Sequence, residues 1–343
     1  MTDPLDAEPF DGEPLGAGIY DVEPRRGRLR RWTAPLFRRG LRGWIARAIA
    51  LVLVIAVFYY PIGMILAHKI NDDLGFTAPD RAPARASHAV AMTAALIDRE
   101  VNQNGWRAND PFFIPSSQID NMPNFQQGII SALARFAFEL TDQIGRTRGS
   151  SQADPDLREA AGLLQYSGTK WVFDFTTSAA PTATSEAQYR KARRALLAYN
   201  ARLATGDALF ARRSDNLLAT LDRFAADLGS ASAALDKRLN DGPALFDTEA
   251  DDVFYGVKGQ LYAYYLLLRE LRTDFDGVIG DRELNSAWDQ LLESMGHAAS
   301  LQPWVVTNGA PDSQAIPSHL ASQGFFLLRA RTQLKEITNI LLK

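Results

Sequence analysis

DDVFYGVKGQLYAYYLLLRELRTDF, residues 251–275, decides the fold. Its apolar positions Phe254, Val257, Leu261, Tyr264, Leu268, Leu271 and Phe275 advance in alternating steps of three and four. Steps of that size keep side chains on one face of an α-helix, so the stretch predicts a helix with an unbroken packing seam. The alternation recurs as Tyr189, Ala192, Leu196, Tyr199, Leu203 and as Leu217, Leu221, Phe224, Leu228, Ala231, Leu235. It returns as Leu284, Trp288, Leu291, Met295, Ala298 and as Leu327, Ala330, Leu334, Ile337, Leu341. Seams of this kind imply an all-α fold, an antiparallel helical bundle, because only shallow crossing angles keep such stripes facing one another.

Helix signals agree with the seams. Asp154-Pro155 reads as an N-cap before a first-turn proline, Ser185 with Gln188 as a capping box, and Thr248 with Asp251 as a weaker one. Helices are expected near 84–103, 124–147, 154–166, 185–205, 214–239, 251–275, 283–301 and 318–342. KWVFDFTT (170–177) alternates its aromatics and WVVTNGAP (304–311) carries the turn pair Asn308-Gly309, so at most a small β-patch is expected.

AIALVLVIAVFYYPIGMILA, residues 48–67, has no charge and matches the length needed to cross a hydrocarbon core of about 30 Å. Nine Arg precede it between Arg25 and Arg47, whereas His68, Lys69, Asp72 and Asp73 follow it, so the positive-inside rule places the N-terminus in the cytoplasm. The expected organisation is a tail over 1–47, disordered and acidic and then Arg-rich, a transmembrane helix over 48–67, and an extracytoplasmic helical domain over 75–343. The Arg run suits anionic lipid headgroups. A cleaved signal peptide is disfavoured by the length of the basic region and by the lack of a small-x-small site. Phe10, Leu15 and Tyr20, spaced among Glu-Pro pairs, would serve as a docking motif for a cytoplasmic partner if the tail is more than solvated chain.

The absence of Cys excludes disulfides and thiolate chemistry. Lys plus Arg (37) nearly balances Asp plus Glu (40), and the mildly acidic outer part has no basic stripe, so nucleic acid is not an expected partner. No phosphate loop, nucleophile elbow or His-Glu-x-x-His is present, and His68, His88, His297 and His319 are scattered. No metal or cofactor is expected, and no catalytic residue is assigned. Gly162-Leu163-Leu164-Gln165 looks like the Gly-Leu-Met-Gln segment of lytic transglycosylases, but no Glu-Ser precedes it. The upstream Glu139 has Arg135 one turn earlier, which an i, i+4 ion pair explains.

NGWRANDPFFIPSSQIDN (104–121) is a long connection whose apolar residues are costly to leave in water. Together with RFAFELTDQIGRTRGSSQADPDL (135–157) it resembles the domain of unknown function 2333 family. That resemblance, running from about the membrane helix to the C-terminus, implies a single-pass bacterial inner-membrane protein and brings no mechanism. The residues themselves suggest a ligand-binding surface of Trp106, Asn109, Asp110, Phe112, Phe113, Asp120 and Asn121, joined by Trp171 and Trp304. If helices alternate in direction, the loops carrying these residues share the end of the bundle far from the membrane. The expected function is binding of an envelope partner, whether protein, glycan or lipid, without catalysis. The alternatives are a cell-wall-active enzyme and a transmembrane sensor.

Overall fold

A computed structural model describes residues 40–79, 83, 85–144, 153–173, 180–242, 248–310 and 316–343. The acidic tail, the Arg run through Arg39 and the second half of KWVFDFTT lie outside the described residues. Helix α1, Leu41–Ala67, holds the whole uncharged run and passes through Pro61. It is long and apolar enough to cross a membrane, and its most apolar window has no share buried in the protein. The chain divides into two compact units, Met1–Phe58 and Tyr59–Lys343, with the boundary inside α1.

The second unit is an all-α bundle. It comprises α2 (His88–Asp98), α3 (Asn121–Glu139), α4 (Pro155–Leu164), α5 (Ser185–Thr205) and α6 (Ser214–Asn240). It continues with α7 (Thr248–Asp274), α8 (Asp276–Asp281), α9 (Asn285–Ala299) and α10 (His319–Leu341). The seam that opened the sequence reading is the axis of the core: Phe254, Leu261, Tyr264, Leu268 and Leu271 are fully buried, and α7 packs on α2, α3, α6, α9 and α10. Most expected bounds fall within a few residues of the observed ones; the helices expected over 84–103 and 124–147 end as α-helices at Asp98 and Glu139 and continue as π-helical turns to Gln103 and Ile144, with 145–147 outside the described residues. The short α8 was not anticipated, since Gly277 and Gly280 interrupt any apolar stripe there.

Caps explain several starts. The Asp154 side chain accepts from the N–H groups of Asp156 and Leu157, as its place before Pro155 predicts. At α5 the cap is Thr184, one residue earlier than expected, because the Ser185 hydroxyl is engaged with the carbonyls of Ser167 and Lys170. After α2 a π-helical turn, Arg99–Gln103, places the neighbours Arg99 and Glu100 both inside. There the guanidinium meets the Glu100 carboxylate at 2.7 Å and donates to the Tyr262 hydroxyl at 2.6 Å, so the buried charges are paired.

The β content among the described residues is a single bridge, Asn308 to Ser318. Asn308-Gly309 does not make the expected turn, for neither residue has a positive φ. Gly309 instead lies against the Ile316 carbonyl, 2.0 Å from where a Cβ would stand.

Helix directions follow from the contacts of a strap, residues 68–87. Asp72 meets Lys258 at 2.6 Å, Tyr262 donates to the Asp73 carbonyl at 2.8 Å, and Arg269 donates to the Leu74 carbonyl at 2.7 Å. At the top, Asp274 accepts from the Ser87 hydroxyl and from the N–H groups of His88 and Ala89. These partners advance along the last two-thirds of α7 to its final residue, so the strap itself makes a pass along the bundle. Helix α2 then runs back, bringing Arg99 beside Tyr262 again. One uncounted pass inverts every later direction. The loops 104–121, 166–184 and 300–318 do share one end, but it is the end that receives the chain from α1, not the far one. Met122 accepts from the Lys69 N–H there, Lys258 donates to the Leu301 carbonyl, and Gln302 donates to Asp72.

Candidate functional site

The residues singled out at this end are brought together only in part. Trp106 is buried, donates its indole N–H to the Gly168 carbonyl at 2.7 Å and stands edge-on to Tyr189. Asn109 is buried too, and its amide donates at 2.8 Å to both the Lys170 carbonyl and the Glu186 carboxylate. Asp110 accepts from the Ser116 hydroxyl and lies 3.5 Å from Arg107. Trp106 and Asn109 staple the 104–121 loop to the chain entering α5, Asp110 braces the loop from within, and no aromatic floor ringed by open amides is left. What faces outward is a strip of ring contacts: Phe112 on Phe113 at 5.5 Å, Phe113 on Trp171 at 6.1 Å, Trp171 on Phe173 at 5.8 Å. Trp304 is fully exposed at the same end without joining that strip among the described residues.

Asp120 and Asn121 belong to another cluster. The Asn121 amide donates to the carboxylates of Asp120 and Asp251, and the Asn124 amide donates to Asp252. Burial first, then the charges of Asp120 and Asp252, push the Asp251 carboxyl up to about 7. An acid raised in the folded state favours folding while it is protonated, so its contribution is complete below the ordinary value of 3.8 and is lost as pH rises through about 7. Asp252, Asp274 and Glu139 are raised as well and give the same sign. Asp251→Asn should therefore flatten the fall in melting temperature between these pH values, the difference from the parent curve being its share. A variant curve parallel to the parent's would show that Asp251 titrates normally.

The groove at the bundle's flank went unseen in the sequence. It opens beside α3 with a volume of about 590 Å³ and is lined by Gln127, Arg135 and Phe138 of α3, Gln165 and Tyr166 beyond α4, and Arg223 of α6. Arg135 does not pair with Glu139 as its spacing suggested. Glu139 points inward and takes Arg223 at 3.6 Å, while Arg135 points outward and takes Asp227 at 3.4 Å. Asp227 also accepts from the buried Tyr264 hydroxyl at 2.6 Å. Burial holds the Glu139 carboxyl above the ordinary range, with Arg223 opposing the shift. The groove wall therefore presents two half-exposed guanidinium groups, each with a carboxylate partner. Among the described residues no group of three or more His, Asp or Glu stands where it could hold a metal ion.

The described residues define an all-α bundle and, among them, one helix long and apolar enough to cross a membrane. Residues 67–243, just over half the chain, match the family described as an uncharacterized protein conserved in bacteria (DUF2333), and the chain belongs to that family. No curated protein and no solved structure matches it.

Proposed function

We propose that the chain is a single-pass inner-membrane protein, with its N-terminus in the cytoplasm, whose helical domain binds an envelope ligand in the groove beside α3. The groove carries the reading: two guanidinium groups, two amides and three aromatic rings around about 590 Å³ suit an anionic glycan or peptide. The asymmetry of charge across α1, nine Arg before it and none in the ten residues after it, supports the orientation. Binding without chemistry is favoured because the raised carboxyl of Glu139 is buried behind Arg223, out of reach of a bound ligand.

A reporter active only outside the cytoplasm, fused after Lys343, should be active. Full-length protein in detergent should bind soluble peptidoglycan fragments, and Arg223→Ala or Arg135→Ala should weaken that binding about tenfold. A silent reporter would overturn the orientation. Binding unchanged in both Arg variants would remove the groove from the proposal.

A further inference from the structure

We infer that the tip of the 104–121 loop, Pro111 to Ile114, lies within the outer leaflet of the bilayer that α1 spans, so the bundle is wedged into the membrane as well as tethered to it. The inference rests on the reading of α1 as a membrane span. Three contacts set the depth. The hydroxyls of Tyr59 and Tyr60 lie 3.4 Å from the carbonyl oxygens of Phe113 and Phe112, and Pro115 packs so closely on Gly63 that a Cβ there would stand 2.4 Å from its ring. The loop then climbs beside α1 until Met122 meets Lys69. Phe112 and Phe113 are thus level with Tyr59 and Tyr60, not with the end of the helix.

The uncharged run fixes where the bilayer lies. From Ala48 to Tyr59 it covers only about 18 Å, well short of a core of about 30 Å. Beginning the span at Leu41 instead would draw Arg42 and Arg47 into hydrocarbon, which is strongly disfavoured. The span has to use residues beyond Tyr60, and the loop at that level shares its depth, about 12 Å below the last residue of the helix, Ala67.

The loop is built for that place. Phe112 is 79% exposed and Phe113 49%, and the strip continues through Trp171 to Phe173, aromatic side chains of the kind that settle at the acyl and headgroup boundary. Non-helical backbone in a bilayer must have its polar groups satisfied by protein. Here the Pro111 carbonyl accepts from the Ile114 N–H, those of Phe112 and Phe113 face the two Tyr hydroxyls, and that of Ile114 accepts from Ser117. Pro111 and Pro115 have no N–H to satisfy. Every carbonyl of the tip has a donor without help from water, and among the described residues the N–H groups of Phe112 and Phe113 are the two left without a protein acceptor.

The chain has no Cys, so single labels are simple to place. Phe112→Cys, Val57→Cys and Asp276→Cys, each carrying an environment-sensitive nitrobenzoxadiazole label, are reconstituted as full-length protein in phosphatidylcholine and phosphatidylglycerol vesicles containing doxyl-labelled acyl chains. Label 57 should be quenched strongly and label 276, at the opposite end of the bundle, hardly at all. Label 112 should be quenched several-fold more than label 276, with blue-shifted emission. If 57 is quenched and 112 behaves as 276 does, the wedge is wrong and the span stands. An unquenched 57 would overturn the span, and the wedge with it. Because Phe112 is exposed, helical content equal to the parent's is expected in that variant.

Discussion

Replacing Gly259 by alanine should lower the stability of the full-length chain by about 3 kcal/mol or more, beyond what most single substitutions cost. Helices α3 and α7 approach with their backbones nearly touching. A Cβ on Gly259 would stand 2.1 Å from the Phe125 carbonyl oxygen, and one on Gly128 would stand 2.1 Å from that of Gly256. Neither obstacle is a flexible side chain, so the helices themselves must part. The central seam of α7 would open with them, exposing Phe125, Leu261 and Tyr262. Alanine is the better helix former by about 1 kcal/mol, so the loss appears in spite of a local gain. Gly256→Ala supplies the contrast. Nothing lies within 4 Å of its Cβ position, and this variant should melt at or above the parent temperature. Thermal unfolding followed by circular dichroism in the same detergent compares them, and equal melting of the two variants would refute the close contact.

That contact shows where the sequence stops being informative. Apolar spacing reports which face of a helix is buried, because burial of each Leu or Phe is a local matter of period. It therefore located the seam through Leu261 and, with the cap signals, most helix ends. It is silent on what the face meets. Gly128 and Gly259 look like weak points in two helices, and only the crossing makes them necessary. Lys258 is a similar case. It stands four residues after Phe254 and three before Leu261, on the core stripe, yet a lone Lys in such a pattern reads as a tolerated edge position. The direction of the helices was misread for a related reason. Residues 68–83 have no seam, so a count of helices passes straight from the membrane helix to the one expected at 84, but Asp72 and the carbonyls of Asp73 and Leu74 are paired along α7. Of the proposed surface, the aromatics were legible and their orientation was not. Trp106 and Phe112 differ little in composition of neighbourhood, and tertiary hydrogen bonds turn one inward and leave the other out. The groove was invisible because Arg135 and Arg223 lie far apart in the chain, and the nearer partner Glu139 offered a simpler pairing that the packing does not use.

Asp72→Ala should destabilise the chain by about 3–5 kcal/mol, because it strands a buried cation. Lys258 is 1% exposed; its ammonium has the Asp72 carboxylate at 2.6 Å and the Leu301 carbonyl at 2.6 Å as partners. Gln302 holds the same carboxylate with its amide, so one pair ties the strap to α7 and to the chain leaving α9. Burial already lowers the Lys258 pKa, with Asp72 opposing the shift. Without Asp72 the shift must deepen. A lysine lowered in the folded state takes up a proton on unfolding, so stability is lost as pH falls and recovers as pH rises towards the ordinary 10.5. The Asp72→Ala variant should therefore regain melting temperature relative to the parent as the medium is made alkaline. Adding Lys258→Met removes the stranded charge, and the double variant should be more stable than Asp72→Ala alone at neutral pH. It should still fall short of the parent by about 1 kcal/mol, since the Leu301 carbonyl loses its donor. A double variant less stable than the single one, or a single variant that melts like the parent, would mean that the strap is held by its backbone contacts with Tyr262 and Arg269 instead. If the pair does hold, losing it frees the segment that joins α1 to the bundle, and the environment of a label at position 112 should change in the same variant.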